Sequence, residues 1–68
     1  MDKMKRIRGR LAETGVTQRE LAIRIRRSQK WLTDVLQGRA EPTLSDMWNI
    51  MEVLQIEAGD MAEYFPRK

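Results

Sequence analysis

The chain contains no cysteine and no histidine, and the two absences remove most of the devices that hold a small domain together or give it chemistry. A disulfide framework is excluded, as are the usual zinc sites, whose ligands are thiolates and imidazoles. Catalysis loses its commonest general base. There is no glycine-rich phosphate loop, and the carboxylates are scattered over polar positions instead of being paired in apolar surroundings. No enzymatic activity, no cofactor and no small-molecule ligand are expected. No apolar run approaches the roughly 20 residues of a membrane span, and the N-terminus lacks an apolar signal segment, so a cytoplasmic protein without a membrane partner is expected. Internal repeats, low-complexity tracts and alternating strand-like stretches are missing as well.

What is present is 68 residues with 41% hydrophobic content, enough for one domain over 1–68 with a purely apolar core. The net charge is +3, but it is unevenly spread. Residues 1–39 hold eleven Lys/Arg against four Asp/Glu, a balance of +7; residues 40–68 hold two against six, a balance of −4. Such asymmetry suggests a polyanion footprint on the first half, set against a simpler reading as two solvated faces.

Apolar spacing divides the chain into five short helices. Met4, Ile7 and Leu11 recur at helical intervals in a first helix over 2–14, with Asp2 as its N-cap and Gly15 as its end; Gly9 inside it costs about 1 kcal/mol relative to Ala, so this helix depends on docking. Thr17 with Glu20 forms the T-x-x-E pattern of a capping box, and the second helix runs to about Ile25 on a face of Leu21, Ala22 and Ile25. Ile23 lies off that face. After a break at Arg26 and Arg27, Ser28 caps a third helix that stops at Gly38. Pro42 interrupts the next connection, Thr43 and Asp46 mark another start, and a fourth helix from Leu44 to about Gln55 carries a broad apolar arc. A last helix spans Ala58 to Tyr64 before Pro66. The fold class expected is all-α, with connections of two to five residues.

The segment from Thr17 to Gly38 organises the rest. At about 100° per residue, Trp31, Leu32, Val35 and Leu36 share one arc of the third helix, while Gln29, Lys30, Thr33, Asp34 and Gln37 fill the other. Two helices joined by a three- to four-residue turn are the helix-turn-helix signature, in which the second helix lies in the DNA major groove with its N-terminal residues at base edges. That geometry asks for polar side chains where this helix begins. Gln29 suits the adenine edge, Lys30 the guanine edge, and Thr33 offers a hydroxyl or methyl contact. For any one of them a plain solvent-facing role competes. Trp31, at the edge of the apolar arc, is assigned to packing over base stacking.

The run G-V-T-Q-x-E-L-A from Gly15 to Ala22, S-x-x-x-L from Ser28 to Leu32, the Gly38 stop and Pro42-Thr43-Leu44 resemble the lambda-repressor-like, Cro-type helix-turn-helix family over roughly residues 7–65. The resemblance implies a compact five-helix domain that binds double-stranded operator DNA as a two-fold dimer. It makes Gln18 a phosphate contact, often braced against the residue at Gln29, matches Gln29, Lys30 and Thr33 to base-reading positions, and makes Gly38 and Arg39 a phosphate clamp. The chain departs from the pattern at Arg26, where glycine is usual and a reshaped turn is therefore expected. It departs again at Arg27, where an apolar residue is common; Arg27 either reaches phosphate or snorkels across the core edge. Asp34, at the border of the reading face, repels phosphate unless it accepts from a cytosine N4 or pairs with an arginine, and structural pairing is the expectation.

Trp48, Met51, Met61, Tyr64 and Phe65 exceed what one helix face needs to cover the first three helices and form a candidate homodimer surface, with a core role as the equal alternative. The resulting expectation is a promoter-occluding repressor of phage or bacterial kind. The competing expectation is a helix-turn-helix interaction module of the antitoxin or antagonist type, which would bind a toxin, a repressor or a polymerase subunit.

Overall fold

The computed structural model describes residues 4–66, and its helices begin where side-chain oxygens meet free backbone N–H groups. The elements are α1 (Lys5–Thr14), α2 (Gln18–Arg24), α3 (Gln29–Leu36), α4 (Leu44–Val53) and α5 (Met61–Tyr64), the last entered through a 3-10 turn at Ala58–Asp60. The N–H groups of Glu20, Trp31 and Asp46 donate to Thr17, Ser28 and Thr43 at 3.0, 3.0 and 3.1 Å, each satisfying one of the orphan donors of a helix start. Only Thr43 and Asp46 complete a reciprocal box, the Thr43 N–H donating back to Asp46 at 3.0 Å. The box expected at Thr17 is half made, because the Glu20 carboxylate turns to Arg24 at 3.5 Å. α1 starts at Lys5 with no side-chain cap; the expected Asp2 cap lies outside the described residues.

Three helices end alike. The N–H groups of Arg27, Arg39 and Ile56 donate five residues back to the carbonyls of Ala22, Asp34 and Met51 at 2.9, 2.8 and 2.9 Å. Each such motif pivots on a left-handed residue: Arg26 at φ 62°, Gly38 at φ 80° and Gln55 at φ 56°. The reshaped turn expected at Arg26 does not occur. Arg26 itself adopts the left-handed conformation, at about 1 kcal/mol for a residue with a Cβ, and the two carbonyl acceptors thereby satisfied at the end of α2 offset that cost. Gln55 does the same after α4, so that helix stops at Val53 instead of continuing to Gln55.

The core gathers Ile7 and Leu11 of α1, Leu21, Ala22 and Ile25 at α2, Leu32, Val35 and Leu36 of α3, Ile50, Met51 and Leu54 at α4, and Phe65. α2 packs on α3 and α4, and α1 on α5. Met51 and Phe65 are therefore corrected from the candidate dimer surface to the interior. Both are wholly or almost wholly covered, because a domain with Cα extents of 26 × 24 × 21 Å has few apolar side chains to spare. Trp31, Met47, Met61 and Tyr64 are half-buried against that core. No helix among the described residues is long and apolar enough to cross a membrane.

The arginines of α1 are spent within the fold. Arg8 donates to the Leu36 carbonyl at 2.8 Å, at the end of α3. Arg10 donates to the Leu54 and Gln55 carbonyls at 2.9 and 3.1 Å, at the end of α4. Each places a cation at the negative end of a helix dipole and satisfies carbonyls with no intrahelical partner. Arg6 pairs with Glu63 at 2.9 Å and lies over the Tyr64 ring, 5.2 Å from its centroid, tying α1 to α5.

Candidate nucleic-acid interface

The interface is built on the turn between α2 and α3, so its geometry depends on what holds that turn. Asp46, in the first turn of α4, is the buried carboxylate among the described residues, with its side chain 8% exposed against 40% for Arg27. Its Oδ1 accepts from Arg27 Nε and Nη2 at 3.1 and 2.9 Å, and its Oδ2 from Arg27 Nη2 at 3.0 Å and from the Thr43 N–H. The Arg27 guanidinium also lies over Trp31, 4.6 Å from the ring centroid. Trp31 of α3, Arg27 of the turn and Asp46 of α4 thus stack into one brace that sets α3 against the body. Burial pushes the Asp46 pKa up, but the Thr43 backbone N–H, the Arg27 hydrogen bonds and charge, and the Thr43 hydroxyl outweigh it and hold the carboxyl below its ordinary value.

Arg27 is accordingly occupied. Of the two outcomes open to it, the structure has it crossing the core edge to Asp46 instead of turning out toward phosphate. This corrects the phosphate role given to Arg27, for a bidentate charge-assisted pair on a buried carboxylate is not readily exchanged for a solvated phosphate.

The remaining site residues lie on the surface. Gln18 is exposed at the first position of α2 and Gln29 at the first position of α3, while Thr33 is half-buried one turn further on. No hydrogen bond joins Gln18 to Gln29 among the described residues, so the bracing implied by the resemblance is not made here. Lys30 and Arg39 are 84% and 68% exposed at their side chains, and both approach Asp34: Lys30 Nζ donates to Oδ2 at 3.2 Å and Arg39 Nη1 to Oδ1 at 3.5 Å. Asp34 is paired with cations, as its place on the border of the reading face leads one to expect. Gly38 turns the chain at φ 80° so that Arg39 follows directly on the end of α3.

Two residues were missed by reasoning from sequence. Arg19 and Arg26 are exposed and, among the described residues, make no ion pair; Arg19 stands at the start of α2 and Arg26 in the turn that follows it. Arg19 could have been found from its place beside Gln18 in the first turn of α2, where free N–H groups already favour an anion.

An all-helical domain, with a four-residue turn joining two short helices and a polar, cation-flanked face on the second, is of the helix-turn-helix class. The chain belongs to the helix-turn-helix domain family, whose model matches residues 3–64. Searches of curated proteins and of solved structures found no match. Membership of that family supports DNA-binding regulation in general.

Proposed function

We propose that this domain is a sequence-specific transcription regulator of the lambda-repressor-like, Cro-type kind, reading double-stranded operator DNA through α3 and acting as a repressor by covering a promoter. The observation that carries the reading is the start of α3. Gln29 and Lys30 stand exposed at its first two positions, Thr33 follows one turn on, and Arg19 of α2, Arg26 of the turn and Arg39 just after α3 are exposed cations. Base edges in the major groove are read by such side chains, and phosphates by such cations and by helix starts. Gln18 and the Gly38–Arg39 segment are assigned to phosphate.

Homodimerisation belongs to the same proposal. Ile23, Leu44 and Trp48 are 67%, 58% and 45% exposed, the large apolar residues left uncovered among the described residues. Leu44 and Trp48 lie one turn apart on one face of α4. With Met51 and Phe65 removed to the core, the candidate surface becomes Trp48 and Leu44, with half-buried Met61 and Tyr64 as further members. That same exposed α4 face also favours the second reading, an interaction module that binds a protein such as a toxin or a polymerase subunit.

Selection of a duplex from a random pool tests the first reading, and a palindrome with regular half-site spacing is the expected product. Gln29→Ala should then weaken binding to the selected duplex about tenfold while leaving random duplex unaffected. Equal affinity for selected and random duplexes, unchanged by Gln29→Ala, overturns readout through α3. Sedimentation at micromolar concentration, with and without the duplex, decides the dimer: a monomer in both removes it.

A further inference from the structure

We propose that Asp34 is a specificity-determining residue: its carboxylate holds Lys30 and Arg39 in the free protein and penalises any DNA that offers it no hydrogen-bond donor. The inference rests on the DNA-reading role proposed for α3 and goes beyond it, because the residue concerned is an anion on a surface otherwise supplied with cations.

Its two oxygens are divided between the two cations, Oδ2 toward Lys30 at 3.2 Å and Oδ1 toward Arg39 at 3.5 Å. One is a proposed base reader and the other a proposed phosphate clamp, so a single carboxylate bridges the two functions. Its position is well fixed. The Asp34 carbonyl accepts the N–H groups of Arg39 and Ala40 at 2.8 and 3.2 Å, closing α3, and the side chain is only 23% exposed. The pairs themselves are weak, since both cations are largely in water and exposed ion pairs are readily exchanged.

DNA therefore exchanges with Asp34 for the same two cations. Once Lys30 and Arg39 turn to base and phosphate, the carboxylate remains on α3, one residue past Thr33, carried toward the groove. A cytosine N4 amino group satisfies it there. Where no donor faces it, an unpaired carboxylate stands among phosphates, and binding weakens. The charge that lowers affinity for most sequences thus raises the ratio between the right one and the rest, the repulsive element that specific interfaces use.

The test compares a mixed-sequence duplex with the duplex the wild type selects from a random pool, in about 0.1 M salt. Asp34→Asn should raise affinity for the mixed duplex about tenfold and for the selected duplex less than about threefold, so that discrimination falls. Glu63→Gln removes the same charge from α5, beside Arg6, and should change either affinity by less than about twofold. Asp34→Glu keeps the charge and should leave mixed-duplex affinity within about threefold of the wild type. Equal gains on both duplexes, or an equal gain from Glu63→Gln, make this a general charge effect and overturn the proposal. So does an Asp34→Asn variant whose unfolding temperature falls by more than about 10 °C, which makes Asp34 a fold residue. Wild type that binds no duplex at all overturns the DNA reading and this inference with it; wild type that binds, with Asp34→Asn unchanged, overturns this inference alone.

Discussion

α1 and the helix-turn-helix segment are both basic, yet their cations do opposite work. Arg8 and Arg10 reach carbonyls at the ends of α3 and α4, and Arg6 reaches Glu63 and Tyr64. Arg19 and Arg26 make no ion pair among the described residues, and Lys30 and Arg39 share one half-buried carboxylate. A positive balance of +7 over residues 1–39 therefore overstates the footprint, because Arg8 and Arg10 cap helix ends and Arg6 pairs with Glu63. Arg27 sits in the helix-turn-helix segment but belongs with the α1 group by its partner, Asp46. If this division is right, variants of the two groups separate cleanly: one changes stability, the other changes binding.

The largest effect is expected where the internal group is most buried. Asp46→Ala leaves Arg27 without its carboxylate and the Thr43 N–H without its acceptor, costing about 2–3 kcal/mol after allowance for the exposed part of Arg27. An unfolding temperature lower by about 10–20 °C is the expected reading. Linkage supplies a second check. The folded carboxyl has the lower pKa, so the unfolded chain binds more protons between the two values and stability rises with pH there. The contribution of Asp46 is complete above the ordinary carboxylate value of about 3.9 and disappears as pH falls through the folded value. The gap between wild type and Asp46→Ala should narrow in acid, and a gap that stays constant from neutral pH to about pH 2 would contradict the assigned role of the charge.

Next in size is Arg10→Ala. It removes two donors from the end of α4, a loss of about 1–2 kcal/mol. The slope of log affinity for random duplex against log salt should not change, because this cation is held on the carbonyls that end α4. A slope reduced by about one unit would place Arg10 among the phosphate contacts and dissolve the comparison.

The two groups of cations also differ in how far a linear sequence reveals them. Helix starts were legible, since Thr17, Ser28 and Thr43 act on N–H groups only three residues away, and so were the apolar stripes of Ile7–Leu11 and Leu32–Val35–Leu36. The polar side of α3 was legible as a face: Gln29, Lys30 and Gln37 are exposed opposite the buried Leu32, Val35 and Leu36. The partners of Arg8, Arg10 and Arg27 were not legible. They lie 28, 44 and 19 residues away, and an arginine that caps a distant helix has the same local surroundings as one that waits for phosphate. The same limit left Met51 and Phe65 open between a dimer surface and the core: helical periodicity says which side chains share a face, and only the packed partner says whether that face is covered.

A smaller gain is expected at Gly9, in the middle of α1. It is exposed, and a Cβ built there meets nothing within 4 Å. Gly9→Ala should therefore stabilise the domain by about 0.5–1 kcal/mol through the higher helix propensity of alanine. DNA binding should be untouched, which sharpens the assignment of α1 as a supporting element; a loss of affinity at constant fold would bring the α1 surface into the interface.

Arg39→Gln is expected to alter stability least and to be the most informative. The side chain is mostly in water and its one pair, to Asp34 at 3.5 Å, is the kind that contributes between zero and about 1 kcal/mol, so thermal unfolding should move by no more than a few degrees. The effect should appear only with DNA. Removing one phosphate-binding cation reduces the salt slope by about 0.9, and it does so equally for selected and random duplexes, because phosphate carries no sequence information. Arg10→Ala and Arg39→Gln remove the same charge, one from each group, and should give mirror-image results: stability without slope in the first, slope without stability in the second. A variant of Arg39 that lowers stability as much as Arg10→Ala, or one that leaves the slope intact, would mean that the two groups of cations are not different in kind.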